Sequence, residues 1–499
     1  MNIAAISAVL MGTAVHAVSA AQVLADFKLT NAHTYTQDTW KADMQAAKDS
    51  GIDGFALVAV PPNCQSQDLN WQLDRIEDAF AVAAQQEFLL APAFDMSYNT
   101  HSANCPTGKA WNVTFMAQMI ANAYSKPAGL RWTDNKTLVL THEGDAYGDG
   151  YFGQLKALLT NSPAVIAPSF SSLENAVAAN KSSSDQQAAD VISQFTNIDG
   201  YFNGKWCRRL DSGHALPHDT RADNVSYVDA AFQQALKKAG RPGPFVMGVA
   251  PWQFQDLTSD TAAVEYGDYA WFHRWNDVFN MQPDLVNILT WNDYASSNYI
   301  RDVPQANSSS PGSVDLGEQG NYVYGMNHTA WRTVASYYIN AYKNHNMPWI
   351  VHNDLVYWYR THAKNATCSG GMGPGGAGIK NWDLVEDALF VWVSVRAMLD
   401  FEVFWGTTGE QNSRRKGTPV LSFSSNNTAP VVYKLPFPTD FPASTDDKIY
   451  PQVVASRYDR IGYAKYDNVP VTAECAWENF NAVVEEMPPD FDDVLKAQH

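Results

Sequence analysis

The sequence predicts an α/β protein: a (β/α)8 barrel of the TIM type over residues 21–345, followed by an all-β, sandwich-like domain over residues 346–499. Three observations predict it. From Gln22 to about Lys343, short apolar runs alternate with amphipathic stretches, and eight such pairs in about 320 residues is the arithmetic of a barrel with insertions. Three of the apolar runs end in an acid or lead directly into one, as strands delivering side chains to a catalytic rim would. After Met347 the helical periodicity is lost, and apolar runs separated by Gly, Pro, Ser and Asn take its place.

The chain opens on an apolar stretch, Met1 to Ala20, ending in Val18, Ser19 and Ala20. This predicts a secretory signal cleaved after Ala20; it is too short and too weakly apolar for a good membrane span. The barrel strands are then QVLADFKL, DGFALVAV, EFLLAPAF, TLVLTHE, AVIAPSF, NIDGYF, PFVMGVAP and LVNILTWND. Helices are expected between them, among them Trp40 to Ser50, Asp74 to Gln86, Ser226 to Lys238 and His328 to Tyr342. In the second domain the strand candidates are VYWYR, ALFVWVSV, TPVLSF, PVVYKLPF and IGYAKY. The longer run LFVWVSVRAMLDF is interrupted by Arg396 and Asp400, so it is read as a core strand rather than a membrane span. SGGMGPGGAG, Ser369 to Gly378, lacks the Lys and Ser/Thr of a phosphate loop and is read as a surface loop.

Secretion agrees with eight N-x-Ser/Thr sequons, at Asn112, Asn135, Asn180, Asn224, Asn307, Asn327, Asn365 and Asn426. Five cysteines leave one odd. The favoured pairings are Cys64 with Cys105 and Cys368 with Cys475, each within one domain, leaving Cys207 free. A formal charge of −18 argues against nucleic acid and anionic membranes, which require basic patches. A neutral polysaccharide suits the chain better, since aromatic faces cover the apolar face of a pyranose and 16 Trp are present. A monomer is expected.

Several chemistries are excluded. No HExxH occurs, and Pro217 between His214 and His218 breaks the helical geometry of a paired metal site. G-x-S-x-G, Walker and dinucleotide motifs are likewise missing, so neither metal nor cofactor is expected. What remains are carboxylates at strand ends: Asp95, Glu143 and Asp293. For any one of them the alternative is merely to cap a helix or satisfy a loop. Trp252, Trp291, Tyr294 and Trp206 are candidate sugar platforms, with barrel packing an equally weighted alternative for Trp252 and Trp291.

The motifs LADFKLTNAHTYTQDTWKADMQAAKDSGIDGFALV, LLAPAFDMSY, FVMGVAPWQF, YGDYAWFHRWNDVFNMQPDLVNILTWNDYASSNYI, HTAWRTVASYYINAYK and VYWYR resemble family 71 of the glycoside hydrolases, the fungal α-1,3-glucanases or mutanases. The resemblance covers essentially the whole chain. It implies a (β/α)8 barrel with a C-terminal β-sandwich, and a secreted fungal wall enzyme of the glucan endo-1,3-α-glucosidase type that hydrolyses by inversion without metal. The family's signature reads WNDYGES. Here its Asp falls on Asp293, its Gly on Ala295 and its Glu on Ser296. The family's acid in an FDMS-like motif falls on Asp95, and the His before Phe in the first strand is here Asp26.

An inverting glycosidase needs one carboxyl to protonate the leaving oxygen and another to activate water, and a serine hydroxyl does neither well. Glu143 or Asp26 is then the candidate replacement for the missing acid. Three functions follow: hydrolysis of α-1,3-glucan with Asp293, Asp95 and Glu143 in the machinery; lectin-like binding of wall glucan by an impaired homologue; or hydrolysis of another neutral glycan through a relocated acid.

Overall fold

A computed structural model of the chain describes residues 21–62, 69–98, 110–179, 181–204, 226–256, 262–265, 267–306, 310–370, 378–396, 398–410, 413–425, 429–457, 460–467 and 469–487. Its fold is mixed α/β. The eight expected runs form strands: β1 (Gln22–Lys28), β2 (Gly54–Ala59), β3 (Leu89–Asp95), β4 (Lys136–His142), β5 (Ala164–Ser169), β6 (Tyr201–Asn203), β7 (Phe245–Val249) and β8 (Leu285–Ile288). Parallel ladders join β1 through β5 in order, and β6 through β7 and β8 back to β1. Between β5 and β6 the ladder gives way to two backbone bonds, from the Asp199 and Gly200 N–H groups to the Ile166 carbonyl at 2.9 and 3.1 Å.

Each strand is short, β-branched or aliphatic, and buried on both faces, which is why the sequence shows near-continuous apolar runs. The two faces differ by the period of two. Leu24, Ala56, Val58, Ala91, Ala93, Leu138, Leu140, Val165, Ala167, Phe202 and Val246 gather in one cluster inside the ring of strands. The alternate residues, among them Val23, Phe27, Phe55, Leu90, Phe94, Val139 and Ile288, join a second cluster with the surrounding helices. Helix α1 (Gln37–Asp49) shows how that outer layer is specified. Thr36 caps its N-terminus by accepting from the Thr39 N–H, and Trp40, Met44 and Ala47 recur on one buried face. Helix α2 (Trp71–Gln86) begins three residues before the expected start, and the last helix of this part, α3, spans Trp331–Asn344.

Beyond it lie two further sheets. One has four antiparallel strands in the order Val431–Pro436, Ala388–Ser394, Asp354–Arg360 and Ala482–Glu486. The other has six, built around Lys448–Arg457 and Leu399–Gly406. Leu355, Tyr357, Leu389 and Val391 pack with Val403, Trp405 and Val453 between the sheets. The opposite face of the four-stranded sheet covers α3: the Trp358 ring lies 4.8 Å from that of Trp331. Burial on both faces explains why VYWYR and ALFVWVS read as unbroken apolar runs.

One expectation is corrected here. The run Leu389 to Phe401 is not a single strand but parts of two, one ending at Ser394 and the next beginning at Leu399. The interrupting Arg396 lies outside both, and its N–H donates to Asn353 Oδ1 at 2.9 Å. Cys368 and Cys475 form a disulfide between neighbouring strands, with their Cα atoms 4.4 Å apart. Residues 1–20, the three other cysteines and the sequons at Asn180, Asn224, Asn307 and Asn426 lie outside the described residues. Among the described residues no helix is long and apolar enough to cross a membrane.

Candidate active site

Strand β1 supplies two charged side chains to the inside of the ring, because Asp26 and Lys28 flank the outward-facing Phe27. Asp26 is 1% exposed. Its Oδ1 accepts from Asn287 Nδ2 at 2.7 Å, and its Oδ2 stands 2.7 Å from His142 Nε2 on β4. Burial opposes charge on His142, yet the adjacent Asp26 carboxylate prevails and raises the imidazole above its ordinary value.

Above that pair, at the carboxyl ends of the strands, Lys28 Nζ lies 4.0 Å from Asp95 Oδ2 and 4.0 Å from Asp293 Oδ2. Burial again opposes the charge. Asp293, Asp95 and Asp26 together more than offset it, so Lys28 is held firmly as the ammonium ion.

The segment after β8 is fastened to β1 residue by residue. The Trp291 N–H donates to the Asp26 carbonyl at 2.7 Å. Asn292 then exchanges both of its amide groups with the Lys28 backbone, accepting from its N–H at 2.7 Å and donating to its carbonyl at 3.2 Å. Asp293, next in line, receives the Ser296 hydroxyl at 3.2 Å, and its own N–H donates to Thr290 Oγ1 at 2.8 Å. Thus the WND triplet has three jobs: Trp291 anchors, Asn292 clamps the strand edge, and Asp293 faces the cluster. Ser296 occupies the place beside Asp293 expected from the signature. Ala295 does not adopt the left-handed conformation; that role in the turn belongs to Ser297, with φ 54°.

Asp95 is fixed by Ser97, whose hydroxyl and N–H reach Oδ1 at 2.6 and 3.1 Å. Glu143 leaves β4 through two successive positive-φ residues, itself at 58° and Gly144 at 125°. A left-handed non-glycine residue costs conformational energy and is enriched at functional sites. Ser171 Oγ donates to its carboxylate. Burial, then the charges of Asp145 and Asp95, push the Glu143 carboxyl up to about 7. Glu174, wholly buried behind β5, is also pushed up to about 7 by burial, although Ser169, Phe170 and Tyr201 all donate to it.

The structure therefore joins Asp293, Asp95 and Asp26 through Lys28 and His142, with Glu143 electrostatically coupled to Asp95 and His142. Sequence reasoning missed Lys28 and Asn287. Their signal was available: a charge two residues from Asp26 in an apolar strand, and a lone amide in LVNIL.

Tyr294 is corrected from a sugar platform to a packing residue, and for Trp291 and Trp252 the packing alternative is the one observed. Trp291 is fully buried, its Nε1 donating to Asp43 Oδ2 at 3.1 Å and its ring 5.2 Å from Phe55. Trp252 is buried with Nε1 on the Phe480 carbonyl at 2.9 Å, and Tyr294 is buried with its hydroxyl on the Asp302 carbonyl at 3.1 Å. None offers a free face to a pyranose. Trp206 lies outside the described residues. Among the described residues, His362, Cys368 and Cys475 approach metal-ligand spacing, but the disulfide occupies both sulfurs.

Comparison with known proteins adds the chemical context. The sequence model of glycosyl hydrolase family 71 matches residues 19–495. A glucan endo-1,3-alpha-glucosidase of Schizosaccharomyces pombe is 32% identical over 400 residues, covering 77% of this chain and 80% of that protein. A mutanase of Penicillium rubens is 27% identical, covering 74% of this chain and 71% of its own length. An ascus wall endo-1,3-alpha-glucanase of Schizosaccharomyces pombe is 25% identical over 70% of this chain and 73% of its own.

Proposed function

The chain belongs to glycosyl hydrolase family 71, and from that premise we propose that it hydrolyses α-1,3-glucan of fungal walls by inversion, with Glu143 as proton donor and Asp293 as base. The observation that carries this is a division of labour among the carboxyls. Glu143 keeps its proton up to about pH 7, whereas Asp293 and Asp95 face the Lys28 ammonium. A carboxyl that still holds its proton near neutral pH is the one suited to donate it.

In the proposed step Glu143 delivers its proton to the glycosidic oxygen as the bond to the anomeric carbon breaks. Asp293 takes a proton from the water attacking the opposite face. The new C–O bond inverts the α-linkage to a β-anomeric product, and each carboxyl then returns to its starting state through solvent. Asp95, 4.0 Å from the Lys28 ammonium, steadies positive charge developing on the sugar ring. Asp26 and His142 are positioning residues beneath them.

We further read the strand ring with its backbone bridge as a closed (β/α)8 barrel over residues 21–345 and the two C-terminal sheets as a sandwich over 346–499. Secretion through removal of residues 1–20 and residence in the wall fit the naming of one relative as an ascus wall enzyme. The protein is proposed to act as a monomer.

A second reading is favoured by one observation, the Ser296 hydroxyl bound to Asp293 where the signature has a carboxyl. On it the protein binds wall glucan without cutting it. Reducing-end release from insoluble α-1,3-glucan, beside adsorption to the same polymer, separates the two. Adsorption without release removes the hydrolytic reading, and release from another neutral glycan alone relocates the substrate.

A further inference from the structure

Away from the carboxylate cluster, a crevice of about 560 Å3 runs along the outside of the strand ring. Its walls are the end of α1, the outer face of α3 (Trp331–Asn344), the link Pro348–His352, and residues of the four-stranded sheet. Its most unusual feature is Trp349. Most tryptophans here are core, but the Trp349 indole is 90% exposed, and Val351 beside it is 57% exposed.

A single exposed apolar side chain on a surface calls for no explanation. This one stands over a concave site with polar groups of both kinds. Arg332 and Asn340 project from α3, and Glu486 takes the Thr333 hydroxyl on the facing wall. A flat aromatic face beside donors and acceptors within one crevice meets the requirements of a pyranose: stacking for its apolar face, and two-way hydrogen bonding for its hydroxyls. The volume lies within the range of small-ligand sites.

We propose that this crevice is a second glucan-binding site, distinct from the catalytic one, in which Trp349 stacks on a sugar ring of the polymer. The proposal rests on the α-1,3-glucan reading above. Charge selects the ligand class: Asp49, Asp354 and Glu486 line the crevice together with Arg332, and the whole chain carries −18. Anionic polymers and lipid surfaces are repelled, whereas a neutral polyhydroxyl chain is not. None of the crevice residues belongs to the carboxylate cluster, so a strand held there is not consumed. Holding one segment of an insoluble polymer raises the effective concentration of neighbouring segments at the catalytic rim.

The test compares the full chain with Trp349→Ala and Trp349→Phe in two assays: adsorption to insoluble α-1,3-glucan and hydrolysis of short soluble α-1,3-linked oligosaccharides. Trp349→Ala should lose roughly three- to tenfold in adsorption, the scale of one aromatic stacking contact. It should lose a similar factor in polymer hydrolysis and nothing on the short substrates. Trp349→Phe should retain most of the adsorption. Equal adsorption by Trp349→Ala and the parent, or equal losses on polymer and short substrates, overturns the site. Trp349-dependent adsorption by a parent that cuts neither substrate keeps the site and overturns the hydrolytic reading. Trp349-dependent capture of a protein, with no adsorption to the polymer, overturns the ligand class.

Discussion

Asp26 on the first strand and His142 on the fourth meet at 2.7 Å across the inside of the strand ring, with two strands between them along the sheet. An ion pair at this depth costs desolvation, and it is retained with a third partner, Asn287, on the remaining oxygen. The pair forms the floor on which Lys28 and the rim carboxylates stand.

Asp26→Asn should therefore lower the His142 titration, because burial then acts without the opposing carboxylate, and destabilise the protein by up to roughly 3 kcal/mol. The sign follows from the raised imidazole. Its stabilisation is fully present below the unfolded value near 6.5 and is lost as pH rises through the higher folded value. The difference between parent and variant should thus be larger at pH 5.5 than at pH 8.5. Urea unfolding at both pH values measures it, and a difference that grows with pH would contradict the assigned pair.

Lys28→Met should cost roughly ten- to a hundredfold in kcat/KM, because two carboxylates that share one ammonium would then repel each other across the site. The residue is not needed for folding in the way a core residue is, since its stem ends at the rim. Steady-state kinetics with a thermal melt of the same sample separates these effects. Unchanged kcat/KM would remove Lys28 from the machinery.

The strand pattern, the outer helices and the change of texture after Met347 were all legible, because each depends on local periodicity. Asp95, Glu143 and Asp293 were legible as acids at strand ends. Lys28 was not, because its meaning lies in two contacts separated by 67 and 265 residues in sequence. Trp291 and Tyr294 misled for a related reason: an aromatic residue beside a catalytic-type acid looks like a platform, but the turn directs both rings inward to Asp43 and Asp302. The break at Arg396 was visible as a charge, yet a charge between two strands and a polar position within one look alike in one dimension.

Glu143→Gln should reduce hydrolysis by roughly 10² to 10⁴-fold. In the parent, activity should fall as pH rises through about 7, where Glu143 gives up the proton it must donate. The variant should lack that limb. Its defect should also shrink on a glycosyl fluoride, whose leaving group needs little protonation. A variant equally defective on both substrates would place Glu143 in binding rather than in proton donation.

Glu174→Gln tests stability without touching the rim. Burial holds the Glu174 carboxyl at about 7, so the folded state binds a proton more tightly than the unfolded chain does. Its contribution is most favourable below the ordinary carboxylate value and is lost as pH rises from about 4.5 to 7. The amide keeps an acceptor for Ser169 and Phe170 and carries no charge. Glu174→Gln should therefore melt higher relative to the parent at pH 8 than at pH 5, and the opposite trend in calorimetry would refute the assignment.

The last prediction concerns Ser296, whose hydroxyl lies 3.2 Å from Asp293 Oδ2. A glutamate at this position would set a second carboxyl against the first, and neighbouring like charges make one of them hold its proton more tightly. The backbone is already fixed for it: the Ser296 carbonyl accepts from the Phe254 N–H at 3.1 Å. Ala295 also needs no exchange for glycine, since the left-handed residue of the turn is Ser297. Ser296→Glu alone should raise α-1,3-glucan hydrolysis by roughly tenfold or more, about 1.4 kcal/mol of barrier, and add an ionisation to the pH profile. The gain should be largest in a Glu143→Gln background, because there the new carboxyl supplies the only proton, whereas in the parent it competes with Glu143. Equal gains in both backgrounds would mean that Glu143 is not the donor. No gain in either, with undiminished adsorption to the polymer, would mean that the protein holds glucan without cutting it.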